Sequence, residues 1–283
     1  MTKAAATVVA GCAALWVAAA DGLSAAELGV RTLEAFERYV RITEIRMERQ
    51  IGGKSPFLLV DSLPESQRVA VLARLRAGDV VVDRLETHDA GRAIDVSAGM
   101  CHHWSGTVFA AGVPLERTVY AMQAYDRYPQ MYRPAVRRAK TLSRTGDRFN
   151  VSMQLFTKKV VSVVLNVEYD IRYVRIAPTR AFVRSSSTRI AEVQDPDTPN
   201  EREKPVGQDT GFLWRFNNYC SLEERDGGTY IQCESLSLTR DIPSGFAWLV
   251  KPLVTSIPKE SLEFTLTAMR AALVRTEVRS SQF

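Results

Sequence analysis

The residues of this chain best equipped for chemistry stand together at Cys101-His102-His103-Trp104. A thiol and imidazoles are metal ligands, and an imidazole titrating near neutrality is also a general base. His102–Ala110 alternates as a strand, however, and successive strand side chains point to opposite faces. His102 and His103 therefore cannot hold one ion together. Cys101 and His103 share a face, yet two ligands do not close a zinc site without a third. No metal site is expected. His103 has two readings, a general base inside a cavity or a histidine held by hydrogen bonds for structural reasons.

A second group of polar side chains is aromatic. Tyr125-Asp126-Arg127-Tyr128 and Tyr132-Arg133-Pro134 lie on or beside two short helical stretches. Their hydroxyls could bond the polar end of a ligand, or the rings could simply anchor the helices to a sheet. Among charged residues, Arg189 and Glu192 fall on opposite faces of one strand and do not pair. Arg215 and Arg240 share a face with Glu234, which reads as a surface charge network rather than a catalytic one. No serine nucleophile elbow, phosphate loop, paired-acid arrangement or dinucleotide fingerprint appears, so no cofactor is expected.

The elements that must position these residues are organised around one hairpin. Gly211–Arg225 and Thr229–Asp241 flank Asp226-Gly227-Gly228, and such residues tolerate the positive φ of a tight turn. With Asp226 and Gly227 in the turn, Arg225 faces Gly228 and the register is fixed. Phe212, Trp214, Phe216, Asn218 and Cys220 then share a face with Ile231, Cys233, Ser235, Ser237 and Thr239. Large aromatic side chains on one strand meet small ones on its neighbour. Such a face packs against something bulky or leaves room for a guest. Cys220 and Cys233 stand directly opposite, either as a cross-strand disulfide in an oxidising compartment or as two small buried thiols.

In order along the chain, Ala25–Gln50 has helical spacing and stops at Gly52-Gly53, and Pro64–Arg76 is a second helix. Val80–Leu85 is a strand candidate. From His102 a strand, two short helices (Leu115–Tyr125 and Tyr128–Tyr132) and then strands dominate: Val136–Ser143, Phe149–Phe156, Val160–Val174 and Arg180–Val193. Gln194–Gln208 is a polar loop before the hairpin. A long helical segment from Ser244 closes the chain, interrupted at Pro252 and reopened at Pro258 with Ser256 as N-cap. Ser261–Arg275 is amphipathic through Leu262, Phe264, Leu266, Met269, Leu273 and Val274.

With 283 residues, 46% hydrophobic and 24% charged, the chain can bury a sizeable core. The net charge of +5 is scattered; short basic clusters such as Arg133–Lys140 and Lys158-Lys159 accompany no nucleic-acid motif. A mildly basic surface suits peripheral contact with anionic lipid or an acidic partner. At the N-terminus Lys3 precedes the apolar run Ala4–Ala20, and Ala18-Ala19-Ala20 and Ser24-Ala25-Ala26 offer the small residues a signal peptidase needs. Export to a periplasmic or secreted location is expected, a retained anchor or a lipid on Cys12 of Val9-Ala10-Gly11-Cys12 being the alternatives.

Strand, two short helices, six strands and a long helix, with His103-Trp104-Ser105-Gly106, Gly211-Phe212-Leu213-Trp214-Arg215, Glu224-Arg225-Asp226-Gly227-Gly228 and Ser237-Leu238-Thr239-Arg240-Asp241-Ile242-Pro243, resemble the START-like superfamily of birch-pollen allergens and polyketide cyclase-like proteins. The resemblance covers roughly Gly99 to Glu277. It implies an α+β helix-grip fold, a curved antiparallel sheet of about seven strands around a long C-terminal helix. The expected organisation is a signal peptide at 1–26, a mainly helical N-terminal extension at 27–98, the helix-grip domain at 99–277 and a tail at 278–283. In that fold sheet and helix enclose an apolar cavity. Strand parity assigns to it Val151, Met153 and Leu155, then Val161, Val163, Leu165, Val167 and Tyr169, then Phe212, Trp214 and Phe216, with Trp248 and Leu249 from the helix. The implied function is binding of a hydrophobic small molecule or lipid. A cyclase- or dehydrase-type enzyme and a structural or interaction protein with a filled core are the alternatives.

Overall fold

The computed structural model describes residues 28–158, 162–241 and 247–280, with side chains given for 256–275 in the last of these segments. The signal-peptide reading of residues 1–26 and any lipid on Cys12 lie outside the described residues, as does Val161. Among the described residues no helix is long and apolar enough to cross a membrane.

Helix α1 (Val30–Ile51) is followed by a 3-10 turn at Leu59–Ser62, helix α2 (Glu65–Ala77), strand β1 (Val81–Arg84) and the small ribbon β2 (His88–Asp89) with β3 (Arg92–Ala93). Strand β4 (Gly99–Ala111) leads into helix α3 (Leu115–Gln123), a 3-10 turn at Tyr125–Arg127 and helix α4 (Tyr128–Met131). Next come β5 (Val136–Thr145), β6 (Arg148–Lys158), β7 (Ser162–Ala177), β8 (Arg180–Gln194), the short β9 (Arg202–Glu203), β10 (Arg215–Arg225) and β11 (Gly228–Arg240). Helix α5 (Ala247–Ser280) ends the described chain.

The architecture is the helix-grip class, with one antiparallel sheet in the order β1-β4-β11-β10-β8-β7-β6-β5 and β9 paired to β8. It holds nine strands rather than about seven because β1 and β9 join it. Val81 pairs with Thr107, so the sheet begins inside the stretch expected to be a mainly helical extension, at the strand candidate Val80–Leu85. Asp226 and Gly227 both take positive φ, 56° and 75°, and Arg225 faces Gly228, which is the register read from the turn. Helix α5 runs without a break through Pro252 and Pro258, contrary to the expected restart. Proline costs a helix one backbone bond and a clash. Leu262, Leu266, Met269 and Leu273, all buried against the sheet, offset that cost.

The sheet is covered on its inner face and, over four of its strands, on its outer face. Helix α5 lies on the inner face, where a Cβ added at Gly106 would stand 2.5 Å from Leu266 and 3.1 Å from Leu262. Glycine there lets the helix approach. The outer face of β4, β11, β10 and β8 is covered by residues 30–98. Phe36, Tyr39 and Met47 of α1 pack with Phe182, Tyr219, Leu236 and Leu238, while Phe57, Leu58 and Leu75 pack with Phe109 and Tyr230. The N-terminal stretch is thus one layer of the fold.

Candidate functional site

The register assigns each strand residue to a face. On the inner face one row runs Val108–Ile231–Leu222–Ala181, and the next runs Gly106–Cys233–Cys220–Val183–Tyr173. Both rows are apolar and buried in the cluster that includes Leu262 and Leu266. Cys220 and Cys233 are joined as a disulfide between directly paired residues. The character of the face then changes. The following row is Trp104–Ser235–Asn218–Ser185–Ile171, and beyond it His102 pairs with Ser237, which pairs with Phe216. A floor of serine and asparagine is flanked by Trp104, Phe216 and Tyr169, with the Tyr169 and Phe216 rings 6.4 Å apart and edge-on.

Helix α5 fixes where this floor lies. Arg270 donates to the Phe109 carbonyl at 3.0 Å and Leu262 sits over Gly106, so the serine rows face the part of the helix nearer its start. The side chains of Trp248 and Leu249, placed here by sequence, lie outside the described residues. Val151, Met153, Leu165, Val167 and Tyr169 are buried in the inner cluster, and Leu155, Val163, Phe212 and Phe216 pack half-buried against it.

Trp214 does not join them. It packs in the outer cluster with Phe182, Tyr219 and Leu238. Its N–H donates to the Leu238 carbonyl at 2.8 Å, while Arg215 is itself the register partner of Leu238. Two residues thus stand against one, a bulge, and a one-residue slip sends a side chain to the other face. Its indole N–H then finds Asp209 at 3.1 Å.

His103 is also on the outer face, which overturns its reading as a base inside the cavity. Its Nδ1 lies 3.1 Å from the Tyr39 hydroxyl and its Nε2 3.2 Å from Glu234 Oε2. An ionised Glu234 can only accept, so Nε2–H donates to it; with that tautomer Nδ1 accepts the Tyr39 proton, and the Tyr39 oxygen accepts in turn from the Thr87 N–H at 2.8 Å. Arg46 closes the chain on both Glu234 oxygens. Glu234 is therefore no member of a surface network with Arg215 and Arg240. It is 3% exposed, and burial, which pushes its carboxyl up, is outweighed by His103 and Arg46, which hold it below the ordinary carboxylate range. Arg189 and Glu192 do go to different partners, Glu203 and Lys204 respectively.

His102 faces inward in its place. It is buried, and its Nε2 lies 3.1 Å from Thr239 Oγ1. Burial, with a smaller contribution from Arg84, brings its pKa down to about 4, so the imidazole is neutral at neutral pH. Among the described residues no three His, Cys, Asp or Glu side chains come together as a metal site.

The two short helices close the far side. Tyr125 and Tyr173 share a hydroxyl bond of 2.7 Å, and the Tyr128 hydroxyl donates to the Met122 carbonyl at 2.7 Å. Tyr132 packs edge-on against Tyr128, ring centroids 4.8 Å apart, yet its buried hydroxyl has no hydrogen-bond partner among the described residues. Sequence spacing found this group but could not say which hydroxyl is spent. Missed outright were His102, Trp104 and Ser185. Their inward orientation follows only from pairing β4 with β11 and β8 with β10.

The chain is similar in fold to several solved structures. A STAR-related lipid transfer protein from Xanthomonas axonopodis is 16% identical, the match covering 67% of this chain and 98% of that one at a TM-score of 0.42. The Zhui aromatase/cyclase from a Streptomyces species is 10% identical over 62% of this chain and 95% of its own, TM-score 0.44. A START superfamily protein from Mycobacterium smegmatis is 16% identical over 62% and 99%, TM-score 0.40. No family model matches the chain, and no curated protein matches its sequence.

Proposed function

We propose that this chain is an exported binding protein for a hydrophobic small molecule or lipid, held between the inner face of the sheet and helix α5. The observation that carries the reading is the change of lining along that face. Where α5 packs closely, the rows are apolar and filled; toward its start, the floor is Ser185, Asn218, Ser235 and Ser237 under Trp104 and Phe216. Small polar residues between large aromatic ones suit an amphipathic guest, whose burial contributes roughly 25 cal/mol per Å² before ordering costs. The buried Cys220–Cys233 disulfide supports the exported location, since such bonds persist in oxidising compartments. Two open clefts on the outer side compete poorly as ligand sites. One is lined by Asp61, Glu65, Arg68 and Arg225, the other by Glu37, Arg41, Glu44 and Arg215, and both mix charges of either sign.

The test is native mass spectrometry of the full chain purified from the envelope or medium of its host, followed by organic extraction. A stoichiometric apolar molecule released on extraction is the expected result. An empty protein that also takes up no apolar fluorescent probe would overturn the reading and leave an interaction protein with a filled core.

A further inference from the structure

Resting on that reading, we infer the chemical class of the guest: a neutral apolar molecule carrying a carbonyl-type oxygen, seated on the Tyr132 hydroxyl. Four buried tyrosines, Tyr125, Tyr132, Tyr169 and Tyr173, belong to the inner cluster, and the half-buried Tyr128 packs against it. The hydroxyls of Tyr125 and Tyr173 are spent on each other and that of Tyr128 on a backbone carbonyl. The Tyr132 hydroxyl is buried and unspent among the described residues, and a buried polar group left so is costly unless something completes it.

Its position suits a ligand contact. Tyr132 stands immediately before β5, whose Val136 pairs with Leu155 at the end of β6. Tyr132 packs on Tyr128 with Tyr125 and Tyr173 beside it, and Leu155, Val163 and Phe216 are half-buried against the same cluster, so the hydroxyl lies at the tyrosine-lined end of the inner face. The chemistry of the partner follows from what surrounds it. Burial raises the Tyr132 phenol far above its ordinary value, with the neighbouring Tyr125 adding to the effect, so the group keeps its proton. A phenol donates better than it accepts, because its oxygen lone pair is delocalised into the ring, and the fitting partner is therefore an acceptor oxygen. A carboxylate or phosphate is an acceptor too, but it would need a cation. Among the described residues no lysine or arginine is buried, and an unpaired buried anion is strongly disfavoured. A ketone, an ester or a quinone-like oxygen on an apolar frame meets both conditions.

The experiment uses the full chain and three intrinsically fluorescent probes of one size: propionylnaphthalene, propylnaphthalene and naphthoate. Each is titrated into the wild type and Tyr132→Phe. The expected result is that the variant loses about threefold to tenfold affinity for the ketone, the worth of one neutral hydrogen bond, and keeps its affinity for the propyl compound. Naphthoate binds weakest to both proteins. The melting temperature of the unliganded variant is not lowered, because no internal hydrogen bond is removed. The carbonyl stretch of the bound ketone, shifted down in the wild type, returns in the variant to its value in an apolar solvent. Probes that bind with the same ketone-to-propyl ratio in both proteins would overturn the inference while leaving the binding reading intact, as would naphthoate binding tightest. Failure of every probe to bind the wild type would sink the binding reading and this inference together.

Discussion

The two faces of the sheet solve opposite problems with adjacent residues. His103 and Glu234 point outward into a layer where one chain of hydrogen bonds runs from the Thr87 N–H through Tyr39, His103 and Glu234 to Arg46. His102, Ser235 and Ser237 point inward beneath large half-buried aromatics. The Tyr132 hydroxyl on the same side is left over. A satisfied buried network rigidifies and specifies a structure, while unspent polar groups near small side chains are what a ligand completes. The difference assigns architecture to the His103–Glu234 layer and recognition to the inner face. It can be tested by perturbing each face in turn.

The largest effect is expected on the outer face. Glu234→Ala leaves His103 without its acceptor and the Arg46 guanidinium without its carboxylate. Breaking a buried pair in this way typically costs about 3–5 kcal/mol. Urea unfolding should show a loss in that range, with little change in the affinity of an apolar probe per folded molecule. A loss under about 1 kcal/mol, the ordinary worth of an exposed pair, would mean that the network is decoration and the contrast between faces is false.

Acid should separate the faces by the order in which they yield. The His102 pKa falls from 6.5 to about 4 on folding, so between those values the unfolded chain binds a proton that the native protein does not. Stability contributed by keeping His102 neutral is therefore whole above pH 6.5 and is lost as the pH falls toward 4, about 3 kcal/mol in all. Glu234 has a depressed pKa, and its contribution is present above its ordinary value of 4.5 and goes only as the pH falls through the lower, folded value. The inner face should thus weaken first. Urea midpoints of wild type and His102→Gln between pH 7 and pH 4 check this, and the wild type should lose more stability than the variant across the upper part of that range. Parallel curves would show that His102 is solvated rather than buried.

Much of the fold was legible because local chemistry left little choice. Asp226-Gly227-Gly228 set a turn with two positive φ values, and that turn fixed eleven pairs from Arg215–Leu238 to Arg225–Gly228. The alternation Val151, Met153 and Leu155 against Val163, Leu165 and Val167 likewise read correctly as one face of two paired strands. What sequence could not supply was the identity of a face when both sides are buried. β4 carries Val108 and Ala110 inward and Phe109 outward, all buried, so apolar content did not reveal which histidine met the helix. Residues 30–98 looked like an appendage because their partner, the outer face of β4, β11, β10 and β8, is assembled from strands distant in the chain. Trp214 failed for a smaller reason. One extra residue opposite Leu238 reversed its side, and parity carried across a bulge is wrong by construction.

The smallest change in stability should come from the substitution that bears most directly on the inner face. Ser237 lies between His102 and Phe216, and its neighbour Leu236 is fully buried on the other side. Ser237→Leu adds two heavy atoms to the floor and replaces a hydroxyl with apolar carbon. In a core already packed to native density, overfilling costs about 1–3 kcal/mol as strained rotamers or backbone shifts. Where the floor fronts a space meant for a guest, the added leucine occupies that space and gains apolar contact that offsets the lost hydroxyl bonding. The unfolding free energy should then stay within about 1 kcal/mol of wild type, while an apolar probe loses tenfold or more in affinity. A stable protein that no longer binds would distinguish a lined chamber from a solid core. An unstable one would place the inner face, serines included, with the outer face as structure.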